Sequence, residues 1–226
     1  MALEIWAELG SLWDGNPALA YRMIHEAALA GADVVKVQFG HDPADPVRGA
    51  SDRHAEFLRD AVHAHGMKFA ASFFSYSGLA TGRRVGLDYY KIPSQKTYSD
   101  SALVEEVLSD HVPTYVSHGM ATDGKGLLLR DNVYNVWCLS EYPTYPARLA
   151  LMPKAFGAYR GYSDHVHGIG ACLLAIARGA QMVEVHFTLN PANQAIRDHA
   201  FAKTPHELAT LAQTGRDLAR IAEAAR

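Results

Sequence analysis

Short apolar runs, rich in β-branched and aromatic residues, alternate with helical segments eight times along the chain. Runs of this length and composition are typical of strands. The predicted strands are residues 3–9, 33–39, 68–74, 89–94, 113–119, 133–140, 159–165 and 182–189. Because strands that alternate with helices form parallel sheets, the pattern predicts a parallel (β/α)8 barrel. A doubly wound open sheet is the alternative architecture.

Start and stop signals mark several of the predicted helices. Asn16-Pro17 predicts the start of the first helix, and Gly31 predicts its end. The segment 204–207, Thr-Pro-His-Glu, has the spacing of a capping box and predicts the start of the last helix. No linker or change of composition divides the chain, so we expect one domain over residues 1–226.

Two predicted strands are polar on one face and apolar on the other. Side chains alternate across a strand, so Lys36 and Gln38 share one face of the second strand, and Glu184 and His186 share one face of the eighth. If the apolar faces pack on the helices, these polar faces point into the barrel. The fourth strand adds Lys91 to the interior by the same alternation.

Two lysines inside a barrel need compensating charges. Desolvating an ammonium group costs several kcal/mol unless an opposite charge lies beside it. Glu8, Glu184 and Asp164 are candidate partners within the chain, and an anionic ligand is a further one. The alternative is a purely structural network of ion pairs.

Two histidines are predicted at the ends of neighbouring strands. His165 ends the seventh strand and His186 lies near the end of the eighth. Adjacent strands are about 4.8 Å apart, so both imidazoles can reach one ion. Imidazole suits divalent transition metals, although satisfied core histidines are the usual alternative. We interpret Asp164 and His167 as residues that orient this segment.

Serines recur where the predicted strands end. In a (β/α)8 barrel the active site lies at that end, and hydroxyl groups are good donors to phosphate and carboxylate oxygens. A serine at the end of a single strand is more often incidental, but five at one level, together with two lysines, favour an anion site. The five are Ser72, Ser94, Ser117, Ser140 and Ser163.

Composition excludes several classes of protein. The 226 residues are 49% apolar and 20% charged with a formal net charge of −3, which is typical of a soluble globular domain. No block of basic residues points to nucleic acid or a membrane surface, and no apolar run reaches the about 20 residues that span a bilayer. Cys138 and Cys172 lie in apolar runs, which favours reduced thiols and a cytoplasmic location.

Seven segments resemble, in order, the sialic acid synthase (N-acetylneuraminate synthase) family. The resemblance implies a barrel that condenses phosphoenolpyruvate with an aldose, usually an N-acetylated mannosamine, to give a 2-keto-3-deoxy sugar acid and phosphate. It also implies a divalent metal, most often Mn²⁺ with Mg²⁺ or Co²⁺ as alternatives, and a homodimer. GYSDH followed by HFTL is the most specific pair. The segments are IWAELGSLWDGNPALAYRMIHEAALAGADVVKVQF, FAASFFS, YYKIPS, VSHGMAT, CLSEYPTYP, GYSDHVHGIGACLLAIARGA and VEVHFTL.

The resemblance carries three groups of roles onto matching positions. His165 and His186 match the metal-binding histidines. A second group matches positions around phosphoenolpyruvate: Lys36, Lys91, Ser72, Ser94, Ser117, Ser140 and Ser163. A third group matches positions near the sugar and the metal: Glu8, Gln38, Tyr142 and Asp198. Among these residues we expect Glu8, Lys36, Lys91 and His186 to be catalytic.

The chain departs from the family where the sugar is expected. Leu12-Trp13 replace the usual Asn-His, and Gln95-Lys96 replace the usual Gly-Glu after the fourth strand. The segment after Gln38 is shorter than in the family, and we expect no C-terminal antifreeze-like domain after the last helix. We therefore expect a non-standard aldehyde acceptor, and Lys96 would favour one that carries a carboxylate or phosphate.

Two other functions remain open at this stage. A Schiff-base (class I) aldolase or lyase would use Lys36 or Lys91 as an imine-forming amine. A non-catalytic barrel would bind a phosphorylated metabolite without converting it.

Overall fold

Eight parallel strands close into a barrel in the order of the sequence. The computed structural model describes residues 3–120, 126–193 and 195–224. Each strand pairs with its neighbours in sequence, and β1 pairs with β8, so the predicted (β/α)8 barrel is confirmed and the open sheet is excluded. The strands are β1 Glu4–Gly10, β2 Val34–Phe39, β3 Lys68–Phe73, β4 Tyr89–Ile92, β5 Thr114–His118, β6 Val133–Cys138, β7 Gly161–Asp164 and β8 Met182–His186.

Helices cover most, but not all, of the connections between strands. The β6–β7 connection contains a 3-10 helix, Pro146–Leu151, in place of the predicted α-helix. Prolines 143 and 153 bound this segment, because proline lacks the N–H group that continues an α-helix, whereas Pro146 lies at the first helical position, where proline is tolerated. Among the described residues, no helix is long and apolar enough to cross a membrane. The helices are α1 Pro17–Leu29, α2 Ala50–Arg53, α3 Ala55–Ala64, α4 Tyr76–Val85, α5 Ser94–Ser99, α6 Ser101–Leu108, α7 Gly170–Ala177 and α8 Pro205–Ala224.

The predicted starts of the first and last helices are confirmed. Asn16 Oδ1 accepts a hydrogen bond from the backbone N–H of Ala18 at 3.0 Å, which caps α1. At α8, the backbone N–H of Thr204 donates to Glu207 Oε2 at 2.9 Å, and the N–H of Glu207 donates back to Thr204 Oγ1. This reciprocal pair is the capping box that the spacing predicts.

The amino-terminal half of the barrel interior is filled by apolar and aromatic side chains. The indole of Trp6 stacks on Tyr89 with ring centroids 5.4 Å apart and meets the edge of Tyr115 at 4.5 Å. Val34, Ala70, Val136 and Met182 complete this layer. The layer gives the polar residues above it a packed apolar base.

The outward strand faces pack on the helices, and one charged residue lies there against expectation. Asp164 was expected beside the interior lysines, but Ser163 points inward and the strand period therefore turns Asp164 outward. Its carboxylate lies 2.8 Å from Lys203 Nζ and accepts a hydrogen bond from Tyr162 Oη at 2.8 Å. Asp164 therefore anchors the loop before α8, and the exposed His167 lies in the following turn.

Candidate active site

A cavity of about 470 Å³ opens at the carboxyl ends of the strands. Small-molecule sites have volumes of about 300–1,000 Å³, and this cavity lies within that range. Thirteen of the fourteen predicted site residues line the cavity: Glu8, Lys36, Gln38, Ser72, Lys91, Ser94, Ser117, Ser140, Tyr142, Ser163, His165, His186 and Asp198. The fold therefore brings together residues from the ends of all eight strands and from the loop after β8.

Lys96 is the predicted site residue that lies outside the cavity lining. Ser94 and Gln95, in the first turn of α5, face the cavity. The ammonium of Lys96 instead lies 3.6 Å from the carboxylate of Asp100, one helical turn further along. The expectation that Lys96 contacts the acceptor is therefore not supported by its position.

The lower part of the cavity holds a buried network of charges centred on Glu184. Its Oε1 lies 2.8 Å from Lys91 Nζ and accepts a hydrogen bond from Ser163 Oγ at 2.7 Å. Its Oε2 lies 3.5 Å from Lys36 Nζ. Lys36 Nζ also lies 3.1 Å from Glu8 Oε2 and donates to Ser72 Oγ at 2.9 Å. The expected compensation of both lysines by Glu8 and Glu184 is confirmed.

The network sets different protonation preferences for its two carboxyl groups. Burial disfavours ionisation of Glu184, but the ammonium groups of Lys36 and Lys91 outweigh it and hold the Glu184 pKa well below its usual range. Burial dominates at Glu8 and raises its pKa to about 7, against the opposing effect of Lys36. Gln38 Nε2 donates to Glu8 Oε1 at 3.0 Å. Glu8 can therefore exchange a proton near neutral pH, as a general acid or base requires.

The raised pKa of Glu8 predicts a pH-dependent stability difference between the wild type and Glu8→Gln. The folded wild type binds more protons than the unfolded chain between pH 4.5, the ordinary pKa, and about 7. Wild-type stability from this group is therefore present below pH 4.5 and declines by up to about 3 kcal/mol as the pH rises through 7. Glutamine cannot ionise, so the variant should gain stability relative to the wild type over this window.

Urea unfolding at pH 5, 6, 7 and 8 checks this expectation, because the difference between two proteins cancels the titration of all other groups. Glu106→Gln, at a carboxylate that is 45% exposed in its pair with Arg83, is the matched control and should give a flat difference. A difference for Glu8→Gln that is equally flat would contradict the prediction.

His165 and His186 face each other with ring centroids 5.5 Å apart. His165 Nδ1 lies 2.7 Å from the carbonyl oxygen of Leu139 and donates to it, which leaves Nε2 of the neutral ring without a proton. Nδ1 of His186 is buried 3.7 Å from Asp198 Oδ2 and has no hydrogen-bond partner among the residues that the structure describes. Burial lowers the pKa of both imidazoles, to about 4 for His165.

Neutral imidazoles with an unprotonated nitrogen are the form that binds a divalent metal. The two histidines fit such an ion, because the buried Nδ1 of His186 makes no hydrogen bond to the described residues and is able to bind a metal. The described residues contain no group of three or more His, Cys, Asp or Glu side chains placed to hold a metal. Two protein ligands would leave the remaining coordination positions to water or substrate.

Two of the serine hydroxyl groups converge at Gly119, the residue that follows β5. Its backbone N–H donates to Ser94 Oγ at 2.8 Å. A β-carbon at this position would overlap Ser140 Oγ and lie 2.6 Å from Cys138 Sγ, so only glycine fits. Ser140 Oγ is buried with no hydrogen-bond partner among the described residues. An unpaired hydroxyl on the wall of a cavity is suited to a polar ligand.

Sequence reasoning missed three basic residues that line the cavity, His41, Arg48 and Arg197. The guanidinium of Arg197 lies over the ring of Tyr142, 4.7 Å from its centroid, and that ring lies 4.2 Å from the ring of His165. Arg48 and His41 come from the loop after β2, where no periodicity marks an inward position. Adjacency of Arg197 to Asp198 was the one signal available in the sequence.

Comparisons with known proteins agree on the family. The NeuB family profile matches residues 47–225, which is most of the chain. The N,N'-diacetyllegionaminic acid synthase of Campylobacter jejuni is 28% identical over 92% of this chain and 73% of its own length. The human N-acetylneuraminate-9-phosphate synthase is 26% identical over 94% of this chain and 69% of its own. The chain thus spans about two thirds to three quarters of these relatives.

Solved structures give the same result. A sialic acid synthetase from Leptospira borgpetersenii, crystallised with citrate, superposes with a TM-score of 0.81 at 25% identity, over 98% of this chain and 85% of that one. A truncated 3-deoxy-D-arabino-heptulosonate 7-phosphate synthase from Thermotoga maritima shares the fold, with a TM-score of 0.73 at 14% identity, over 97% of this chain and 87% of its own. With its closed barrel and its match over residues 47–225, the chain belongs to the NeuB family.

Proposed function

We propose that this chain condenses phosphoenolpyruvate with an aldose or another aldehyde to give a 2-keto-3-deoxy sugar acid and inorganic phosphate. Its relatives are named as synthases of legionaminic acid and of N-acetylneuraminate 9-phosphate. The observation that carries the proposal is the cavity itself: two buried lysines and a set of serines lie beside two neutral histidines. Such a cavity combines an anion site with groups suited to a metal.

Phosphoenolpyruvate would occupy the deep part of the cavity. It carries close to three negative charges, and the ammonium groups of Lys36 and Lys91 are the buried cations there. The serine hydroxyls at the strand ends would donate to its phosphate and carboxylate oxygens. The unpaired Ser140 Oγ is the first candidate, since it has no other partner among the described residues.

His165 and His186 would hold the divalent metal, for which we propose Mn²⁺, with Mg²⁺ or Co²⁺ as alternatives. When bound, the ion would polarise the carbonyl oxygen of the aldehyde. Asp198 lies 3.7 Å from His186 and, together with Tyr142 and Gln38, would orient the acceptor above it. These residues would hold the aldehyde carbon against the methylene carbon of phosphoenolpyruvate. Such positioning lowers the activation free energy by several kcal/mol.

The reaction would form one carbon–carbon bond and break one carbon–oxygen bond. The methylene carbon attacks the aldehyde carbon, and water adds to the cationic C2 that develops. Glu8, with its pKa near neutrality, would accept a proton from this water. That proton ends on the aldehyde oxygen, which becomes a hydroxyl. Phosphate leaves with the bridging oxygen and takes up the second proton of the water, and C2 becomes a ketone. Lys36 and Lys91 would stabilise the phosphate charge as it leaves.

Lys91 also favours one alternative function. Burial lowers the pKa of its ammonium, and a lowered pKa favours the neutral amine that forms an imine. However, both carboxylate oxygens of Glu184 hold its Nζ, at 2.8 and 3.0 Å. A Schiff-base aldolase would have to release this amine from the carboxylate before each turnover.

The test is phosphate release from phosphoenolpyruvate with Mn²⁺ across aldoses, amino sugars, phosphorylated sugars and sugar acids. We expect release that requires both an acceptor and the metal, and that stops with EDTA. Turnover of a keto substrate that survives EDTA, together with a borohydride-trapped adduct lost in Lys91→Met, would favour the aldolase. A rise in melting temperature with phosphoenolpyruvate, without release from any acceptor, would favour the metabolite-binding barrel.

A further inference from the structure

Two arginines lie at the mouth of the cavity, on loops that follow two different strands. Arg48 belongs to the loop after β2, and Arg197 belongs to the loop after β8; both line the cavity. Both are exposed, whereas Lys36 and Lys91 in the deep part are buried. The cavity therefore has two basic regions at different depths.

The hydrogen-bonding capacity of these arginines is largely unused. Among the described residues, the Arg48 guanidinium has no hydrogen bond or ion pair, although its charge acts on both His41 and Asp198. Arg197 lies over Tyr142 and has one carboxylate neighbour, Asp198, with Nε 3.4 Å from Oδ1. Each guanidinium has five N–H donors in a planar fork that matches carboxylate and phosphate.

The two arginines at the mouth are paired less closely with carboxylates than the two lysines below. In the deep part, Lys36 and Lys91 face Glu8 and Glu184. At the mouth, Arg197 has the carboxylate of Asp198 beside it, and the charge of Arg48 acts on both Asp198 and Asp45. Among the described residues, neither carboxylate pairs directly with the Arg48 guanidinium, so its N–H donors remain available to an anionic ligand.

The position of the two arginines relative to the histidines indicates which substrate would meet this charge. The Tyr142 ring contacts both residues: its centroid lies 4.2 Å from that of His165 and 4.7 Å from the guanidinium of Arg197. An acceptor whose aldehyde lies at the histidines therefore extends toward Arg197 with its remote end. Phosphoenolpyruvate, proposed to bind at the buried Lys36 and Lys91, would lie deeper in the cavity than the exposed arginines.

We propose that the acceptor carries a carboxylate or phosphate at the end remote from its aldehyde, and that Arg48 and Arg197 bind this group. The inference rests on the proposed function, because it assigns the remote end of the same acceptor. It transfers to these arginines the role that the sequence suggested for Lys96, which pairs with Asp100 outside the cavity lining.

The experiment compares mannose, mannose 6-phosphate and mannuronic acid as acceptors for the wild type, Arg48→Gln, Arg197→Gln and the double variant. We expect the wild type to favour the two anionic acceptors, and each single variant to raise their KM about tenfold, since a hydrogen bond to a charged group contributes about that factor in affinity. The KM ratio between anionic and neutral acceptors should collapse in the double variant. Arg220→Gln, on α8 and 76% exposed, is the matched control.

Calorimetric titration of mannose 6-phosphate into the protein with phosphoenolpyruvate present tests the same site without turnover. The inference is supported if mannose 6-phosphate gives a heat of binding with the wild type but not with the double variant, and if mannose gives none with either. This result does not require that any acceptor is turned over. Equal affinity for neutral and anionic sugars in the wild type overturns it. A higher KM for phosphoenolpyruvate in the arginine variants also overturns it, by assigning the arginines to that substrate. Absence of phosphate release with every acceptor would overturn the proposed function instead.

Discussion

Replacing Glu184 with glutamine is expected to lower the free energy of unfolding by about 3–5 kcal/mol, because it leaves buried ammonium groups without their carboxylate. Glu184 contacts Lys36 and Lys91, and it accepts the hydrogen bond of Ser163. It is 3% exposed, so water cannot replace it. Phosphate release should fall by at least about a hundredfold, since displaced lysines misplace the anion that they hold.

Urea unfolding at pH 7 and steady-state phosphate release measure the two effects on one protein. The Glu184 pKa is lowered, so its stabilisation is present above its ordinary pKa of 4.5 and is lost only as the pH falls below that value. The difference between the proteins should therefore be constant from pH 6 to 8. Glu106→Gln, in an exposed pair with Arg83, should cost at most about 1 kcal/mol. A loss of that small size for Glu184→Gln would show that the lysines have other partners.

Strand alternation was sufficient to predict most of the candidate site from the sequence. A strand repeats every two residues, so the polar positions Lys36, Gln38, Glu184 and His186 had to share one side of their strands. The same rule places Asp164 on the outer face, because it directly follows the inward-facing Ser163 along the strand. Its charge does not prevent this, since a charged residue can be buried under helices when it is paired, as here with Lys203.

Residues on loops could not be placed by the same reasoning. Arg48 and Arg197 lie in segments without periodicity, and their positions depend on how the loops after β2 and β8 fold over the strand ends. Lys96 was assigned by its match to a family position, but it lies at the turn of α5 where side chains leave the cavity. The sequence therefore predicted the deep part of the site better than its mouth.

Replacing His186 with alanine is expected to weaken the binding of Mn²⁺ by more than about a hundredfold, because residues that merely support a metal ligand already contribute about 10–100-fold. The effect should be this large because two imidazoles, His165 and His186, are the proposed protein ligands. His165→Ala should give a loss of similar size. Phosphate release should fall in parallel in both variants, if the metal and the histidines act together.

Calorimetric titration of Mn²⁺ measures affinity directly, so the result does not depend on turnover. His206→Ala, at an exposed position in the first turn of α8, removes an imidazole that does not line the cavity and should leave the affinity unchanged. Thermal unfolding of each variant without metal separates lost ligation from lost folding. Unchanged Mn²⁺ affinity in both cavity variants, together with lost activity, would show that the histidines act on the substrate instead, as hydrogen-bond donors or acceptors to the aldehyde.

Burial keeps these imidazoles neutral, with the pKa of His165 near 4. A buried neutral imidazole whose nitrogen has no hydrogen-bond partner among the described residues is stabilised when an ion binds to that nitrogen. Mn²⁺ should therefore raise the melting temperature of the wild type, whereas His186→Ala should melt at the same temperature with and without Mn²⁺.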